Sequence, residues 1–178
     1  MYTKFSLIGA FCLTVLPAMC QGPSDQKNVP QTTTDKFTVE QQVSHFIEAI
    51  LNRGHRFTTD GYEANTWVPP TQDEIRTIRQ LGVSAITPLS IKVDDTNPYV
   101  QLLAVRFLGE IGGPLTIEPL SRGLAVGKWS FVRTQSLTSL TNAPNDSAIP
   151  IIRGMVNDAD PRVRERAIRL ISEHYKIR

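Results

Sequence analysis

Apolar residues return along this chain at two spacings, a short one of three to four residues and a long one of about thirty-one. The short spacing predicts helices. Val39, Val43, Phe46, Ile47, Ile50 and Leu51 share one helical face, Thr38 and Gln41 have the spacing of a capping box at its start, and Gly54 is a natural stop. From His55 to Pro70 the helical period disappears. Asp60-Gly61 lies between two short segments with aromatic and threonine content, which predicts a small β-hairpin, and Pro69-Pro70 stiffens its exit. Thr71 and Glu74 form a second capping box, followed by a stripe of Ile75, Ile78 and Leu81 that Gly82 ends.

The long spacing appears when "NPYVQLLAVRFL", "WSFVRTQSLTSL" and "DPRVRERAIRLI" are set in register, for Val100, Val132 and Val163 then coincide at intervals of 32 and 31 residues. Ala104, Ser136 and Ala167 follow in step, as do Leu108, Leu140 and Ile171. Between these segments run shorter apolar stretches in which Ile86, Ile117 and Ile149 align, and likewise Leu89, Leu120 and Ile152. Each period is therefore expected to hold two helices. Asn97 and Asp160 are good N-caps directly before Pro98 and Pro161, where proline's missing N–H costs nothing, and Gly113-Pro114 opens another helix in the same manner. A helix pair of this length cannot bury its stripe alone, so the units are expected to stack into a right-handed solenoid or short arc. The helix at residues 39–53 would pack on that stack as an N-terminal cap, since its stripe would otherwise face water.

The segments "IEPLSRGL", "NPYVQLLAVRFLGEIGG" and "DADPRVRERAIRLI" resemble HEAT repeats, particularly the short variety of phycobilin lyases, over roughly residues 72–175. Asp160, Pro161, Val163, Arg164 and Ala167 match that pattern best, whereas the middle unit lacks the Asp-Pro start and carries Ser136 at a usually apolar position. The resemblance implies a ladder of aspartate and arginine between units, in which Asp95 and Arg133 would form a rung that Gln101 and Gly127 interrupt. The expected fold class is all-α: a short right-handed alpha-solenoid of about three helical-hairpin, HEAT-like repeats, with an N-terminal capping helix and a small β-hairpin. Residues 38–70 would hold that helix and hairpin, and residues 71–178 the repeats.

Register also compares the arginines of the last segment with earlier residues. Tyr99 and Phe131 correspond to Arg162, and Leu103 and Gln135 to Arg166, about 80° from the stripe at 100° per residue. On the expectation that this flank meets the following unit, the arginines read as the polar face of a terminal repeat rather than as an anion-binding face. Glu165 would pair with Arg169 four residues on. The face opposite the stripe, expected to line the concave side, carries Leu102, Arg106, Thr134, Thr138, Glu165 and Arg169, a mixed strip suited to a polypeptide.

Composition adds an address. Lys4 precedes the twelve-residue apolar run "FSLIGAFCLTVL" and then "PAMC", which has the length and flanks of a secretory signal in residues 1–20 and is too short to span a bilayer of roughly 30 Å. The protein is expected to be exported, periplasmic or extracellular, with no membrane span in the mature chain. Cys20 is either removed near the cleavage point or the site of a lipid anchor, although Met19 departs from the small residue that lipidation prefers. Residues 21–37, rich in Pro, Thr and Gln, read as a flexible linker. The net charge of +2 is too small to argue for a polyanion, and the ten Lys and Arg against six Asp and Glu from Gly113 onward are too interspersed for a nucleic-acid partner.

The chemistry-bearing residues form no catalytic set. His45, His55 and His174 lack zinc-type spacing, and Gly109, Gly112 and Gly113 follow a helix and read as an inter-helix turn. Asp94 and Asp95 read as helix-start residues rather than metal ligands, and Asn145-Asp146-Ser147 as a loop and helix cap. Trp67 is expected to anchor the linker on the first repeat, and Trp129 to lie exposed at an edge. The expected function is that of an exported non-enzymatic protein-interaction module or assembly scaffold, without cofactor or metal. The family resemblance allows an alternative, a chromophore (bilin) lyase-like or other ligand-handling protein.

Overall fold

Thr38 opens the first helix by the reciprocal bonds its spacing predicts: the Gln41 N–H donates to Thr38 Oγ1 at 3.2 Å, and the Thr38 N–H to Gln41 Oε1 at 2.8 Å. These and all following observations come from a computed structural model that describes residues 37–57, 63–65 and 67–174. The expected signal segment, Cys20, residues 21–36 of the linker, the Asp60-Gly61 turn and residues 175–178 lie outside the described residues. The first helix, α1 (Val39–Gly54), is followed by β1 (His55–Phe57) and β2 (Glu63–Asn65), paired antiparallel with His55 opposite Asn65. Thr71 caps α2 (Gln72–Leu81) with a complete capping box, and Gly82 ends it at φ +54, in the left-handed region that glycine adopts without strain.

The rest is helical. The 3₁₀ turn Gly82–Ala85 runs into α3 (Ile86–Lys92), and Asn97 caps α4 (Pro98–Ile111) by accepting from the Tyr99 N–H at 2.9 Å. A second 3₁₀ turn, Pro114–Thr116, leads into α5 (Ile117–Arg122), which precedes α6 (Ser130–Leu140). Then come α7 (Asn145–Gly154), the 3₁₀ turn Met155–Asn157 and α8 (Pro161–His174), whose Asp160 cap accepts from the Arg162 N–H. One start differs from expectation: Asn145 is the first residue of α7 rather than its cap. Trp129 precedes α6 without offering a side-chain cap, as the missing Asp-Pro start of the middle segment implies.

Packing follows the sequence period, with α3 against α4, α5 against α6 and α7 against α8, while α4 contacts α6 and α6 contacts α8. Val100, Val132 and Val163 are all buried, in one core with Leu89, Leu120 and Ile152. A fully buried leucine or isoleucine contributes roughly 1.5–3 kcal/mol to holding these helices together. The stripe of α1 joins it through Val43, Ile47 and Ile50, so the first helix packs on α3 and α4.

The flank on which neighbours meet is the reverse of the expected one. Five residues beyond each aligned valine stand Val105, Leu137 and Ile168. The first two are fully buried between adjacent helices, whereas Ile168 on α8 is 56% exposed. Arg162 and Arg166 lie on the opposite flank and reach back to α6, donating to Ser130 Oγ at 3.2 Å and to Thr138 Oγ1 at 3.0 Å. They do not form an outer end face. Glu165 and Arg169 make no ion pair; both are exposed.

Gly109 also differs from expectation. It sits inside α4, not in the turn, and a Cβ there would lie 2.8 Å from the Cα of Ser139 on α6. Gly123 is similarly pressed against Ser136, with Val105 Cγ1 at 2.9 Å from a Cβ placed there. Gly112 and Gly113 form the turn itself, at φ +66 and +84.

The rung expected between Asp95 and Arg133 is made elsewhere. Arg133 pairs with Asp158, and also donates to the Lys128 carbonyl at 2.6 Å. Asp95 accepts instead from the Asn97 N–H, and its carbonyl accepts from Gln101 Nε2. Beside Gly127, Lys128 holds the α5–α6 loop to the α3–α4 loop, donating to the Val93 carbonyl at 2.9 Å and to Asp94 at 3.0 Å. Asp94 and Asp95 are thus both structural.

Candidate functional site

The segment before α2 and the starts of α4 and α6 bring four aromatic rings into one row. Trp67 stacks on Tyr99 at a centroid distance of 6.3 Å, Tyr99 on Phe131 at 5.9 Å, and Trp129 on Phe131 at 6.1 Å, all with interplanar angles under 30°. The row arises from the repeat register: Tyr99 and Phe131 hold the same place one residue before the aligned valines, and Trp67 stands a further 32 residues upstream. Helical geometry turns Tyr99 and Phe131 away from the buried stripe, so their rings edge a groove, which Trp67 completes from the segment before α2 while also packing against the core.

The groove has a volume of about 460 Å³ and is mainly apolar. Its walls bring together Trp67, Tyr99, Leu102, Phe131, Thr134 and Thr138, with Ser130, Gln135 and Arg162 beside them. Of the strip expected from the sequence, Leu102, Thr134 and Thr138 are in this lining. Arg106 is half-buried just beyond it, and Glu165 and Arg169 are exposed outside it. Sequence reasoning missed Tyr99, Phe131 and Arg162 because it assigned their flank to the following unit. Their shared register was the available signal.

The polar groups of the groove are partly committed. Thr134 Oγ1 donates to the Ser130 carbonyl at 2.8 Å and Thr138 Oγ1 to the Thr134 carbonyl at 3.0 Å, the back-bonding usual for threonine in a helix. Those hydroxyls thus keep acceptor capacity and methyl surface, while Thr138 already receives Arg166 Nε. Gln135 Nε2 donates to Ser139 Oγ at 3.3 Å.

Charge is distributed unevenly around the groove. Arg53, Arg76, Arg79, Lys92, Arg122, Lys128, Arg133 and Arg162 all have a carboxylate partner. Among the described residues no carboxylate lies within ion-pair distance of Arg106, Arg166 or Arg169, and Arg106 Nε is buried with no hydrogen-bond partner. Arg162 is tied to Asp160, whose carboxyl is held below its ordinary value first by the Arg162 side chain and then by the Arg162 N–H.

Trp67 does pack against the first helix pair while also forming the groove wall, and Trp129 is 62% exposed. Among the described residues there is no group of three or more His, Cys, Asp or Glu side chains placed to hold a metal ion, and no helix long and apolar enough to cross a membrane. No protein-family model matches the chain, and a search of curated proteins finds no match to it.

Proposed function

We propose that this chain is an exported, non-enzymatic protein-interaction module built as a short solenoid of HEAT-like repeats, and that its groove holds an extended segment of a protein partner. The carrying observation is the spacing of the ring row. In an extended chain, side chains on one face recur every two residues, roughly 6.6 Å apart. The steps of 6.3 and 5.9 Å between Trp67, Tyr99 and Phe131 come close to that repeat. Each ring is thus spaced to meet every second side chain of a strand laid across the helices. Aromatic side chains give such a groove large contact area at low entropic cost.

A display library of random dodecapeptides, panned on the full chain, tests this reading. Enrichment of peptides with apolar residues two apart is expected, and their binding should fall when Trp67 or Phe131 becomes alanine. The Trp129→Phe variant leaves Trp67 as the one remaining tryptophan, whose emission should change when a selected peptide binds. No enrichment would overturn the proposal. A shift in the absorption of biliverdin on mixing with the chain, lost in Trp67→Ala, would favour the chromophore-handling alternative.

A further inference from the structure

Past the groove's lining runs a second row of side chains, and together with the rings it specifies what the partner segment must carry. Seven residues beyond Tyr99, Phe131 and Arg162 stand Arg106, Thr138 and Arg169 on the same helical face. At 1.5 Å per residue the two rows run about 10 Å apart, the first aromatic with Arg162 at its end and the second cationic with Thr138 between its arginines. Arg166 joins the second row by its bond to Thr138. Glu165 lies between the rows on α8 and bonds to neither Arg166 nor Arg169. The arginines at this edge, Arg106, Arg166 and Arg169, lack carboxylate partners, although most described cations elsewhere have one.

We infer that the partner segment is an extended strand in which apolar and acidic residues alternate. This rests on the polypeptide reading above. Successive side chains of a strand point to opposite sides. A strand running between the rows sends one alternate set onto Trp67, Tyr99 and Phe131 and the other toward Arg106, Arg166 and Arg169. The apolar set then covers the rings, and the acidic set supplies the carboxylates that these arginines lack. Arg106, half removed from water and with a buried Nε that has no hydrogen-bond partner, is poorly solvated, so a carboxylate there makes a charge-assisted bond of above-average strength, to which Arg166 and the exposed Arg169 add a screened attraction.

The test uses the most enriched dodecapeptide from the selection, labelled for fluorescence anisotropy, with two derivatives. One has each Asp and Glu replaced by Asn and Gln; the other has the same composition rearranged into an apolar block followed by an acidic block. Both derivatives should bind the full chain about tenfold more weakly than the parent, the sum of two modest ion pairs. The parent's advantage over the amide derivative should shrink between about 0.1 M and about 1 M salt, as the Debye length falls from about 10 Å to about 3 Å. Arg166→Gln with Arg169→Gln should reduce the same advantage, Arg106 remaining, while leaving the Trp67-dependent binding of the amide derivative in place. Equal affinity of the parent and block peptides, or selected peptides without acidic residues, would overturn the alternation and leave the polypeptide reading standing. A selection without binders would overturn both.

Discussion

Arg133 Nη2 lies 2.6 Å from Asp158 Oδ1, and Arg133 Nε donates to the other carboxylate oxygen at 3.1 Å. This two-pronged pair joins α6 to the loop before α8, with both side chains less than a tenth exposed. Geometry of this kind repays much of the cost of taking two charges from water, but only while both partners remain. Asp158→Ala should therefore destabilise the protein by about 3–5 kcal/mol, and Arg133→Met with Asp158→Leu by much less. Urea unfolding of the single and double variants measures both.

The same carboxylate sets a pH dependence. Burial alone would raise the Asp158 pKa. Hydrogen bonds from Arg133 and the Asp160 N–H, with the charge of Arg133, outweigh it and leave the group below its ordinary value of 3.8. Because the folded value is depressed, the stabilisation is fully present above the unfolded pKa and is lost as pH falls through the folded one. Glu74 behaves likewise, since burial is outweighed by Arg53 and the Thr71 cap. Thermal midpoints followed from pH 6 downward should drop more steeply below about pH 4 in the parent than in Asp158→Asn.

The slot shared by Val105, Leu137 and Ile168 gives a matched comparison. Leu137→Ala removes a fully buried side chain and should cost about 2–5 kcal/mol, whereas Ile168→Ala, at a half-exposed position, should change stability by less than about 1 kcal/mol. Similar losses at the two sites would contradict the observed order of packing.

Gly123 tests the closeness of the α5–α6 contact. Gly123→Ala drives a methyl group into Ser136 Oγ and toward Val105, and should cost about 1–3 kcal/mol through overpacking. Combining it with Ser136→Ala, which deletes the nearest atom, should recover part of the loss in a denaturant titration.

Much of the architecture was legible because a helix writes its buried face into its sequence. The capping boxes at Thr38 and Thr71, the caps at Asn97 and Asp160, and the alignment of Val100, Val132 and Val163 all reappear as bonds and burial. The period does not encode which side of the stripe meets the next helix, a property of tertiary stacking. Val105, Leu137 and Ile168 carried that information, being apolar in every unit, whereas Tyr99, Phe131 and Arg162 change character. Trp67 was harder to place in the groove because it precedes α2, outside any helical pattern. The exchange of Asp95 for Asp158 as the partner of Arg133 depends on loop paths, which have no period at all.

Ile168 gives the last helix the same lateral edge that its predecessors bury against their neighbours. On α8 that edge leaves an isoleucine side chain in contact with water at the place where α4 and α6 keep theirs dry.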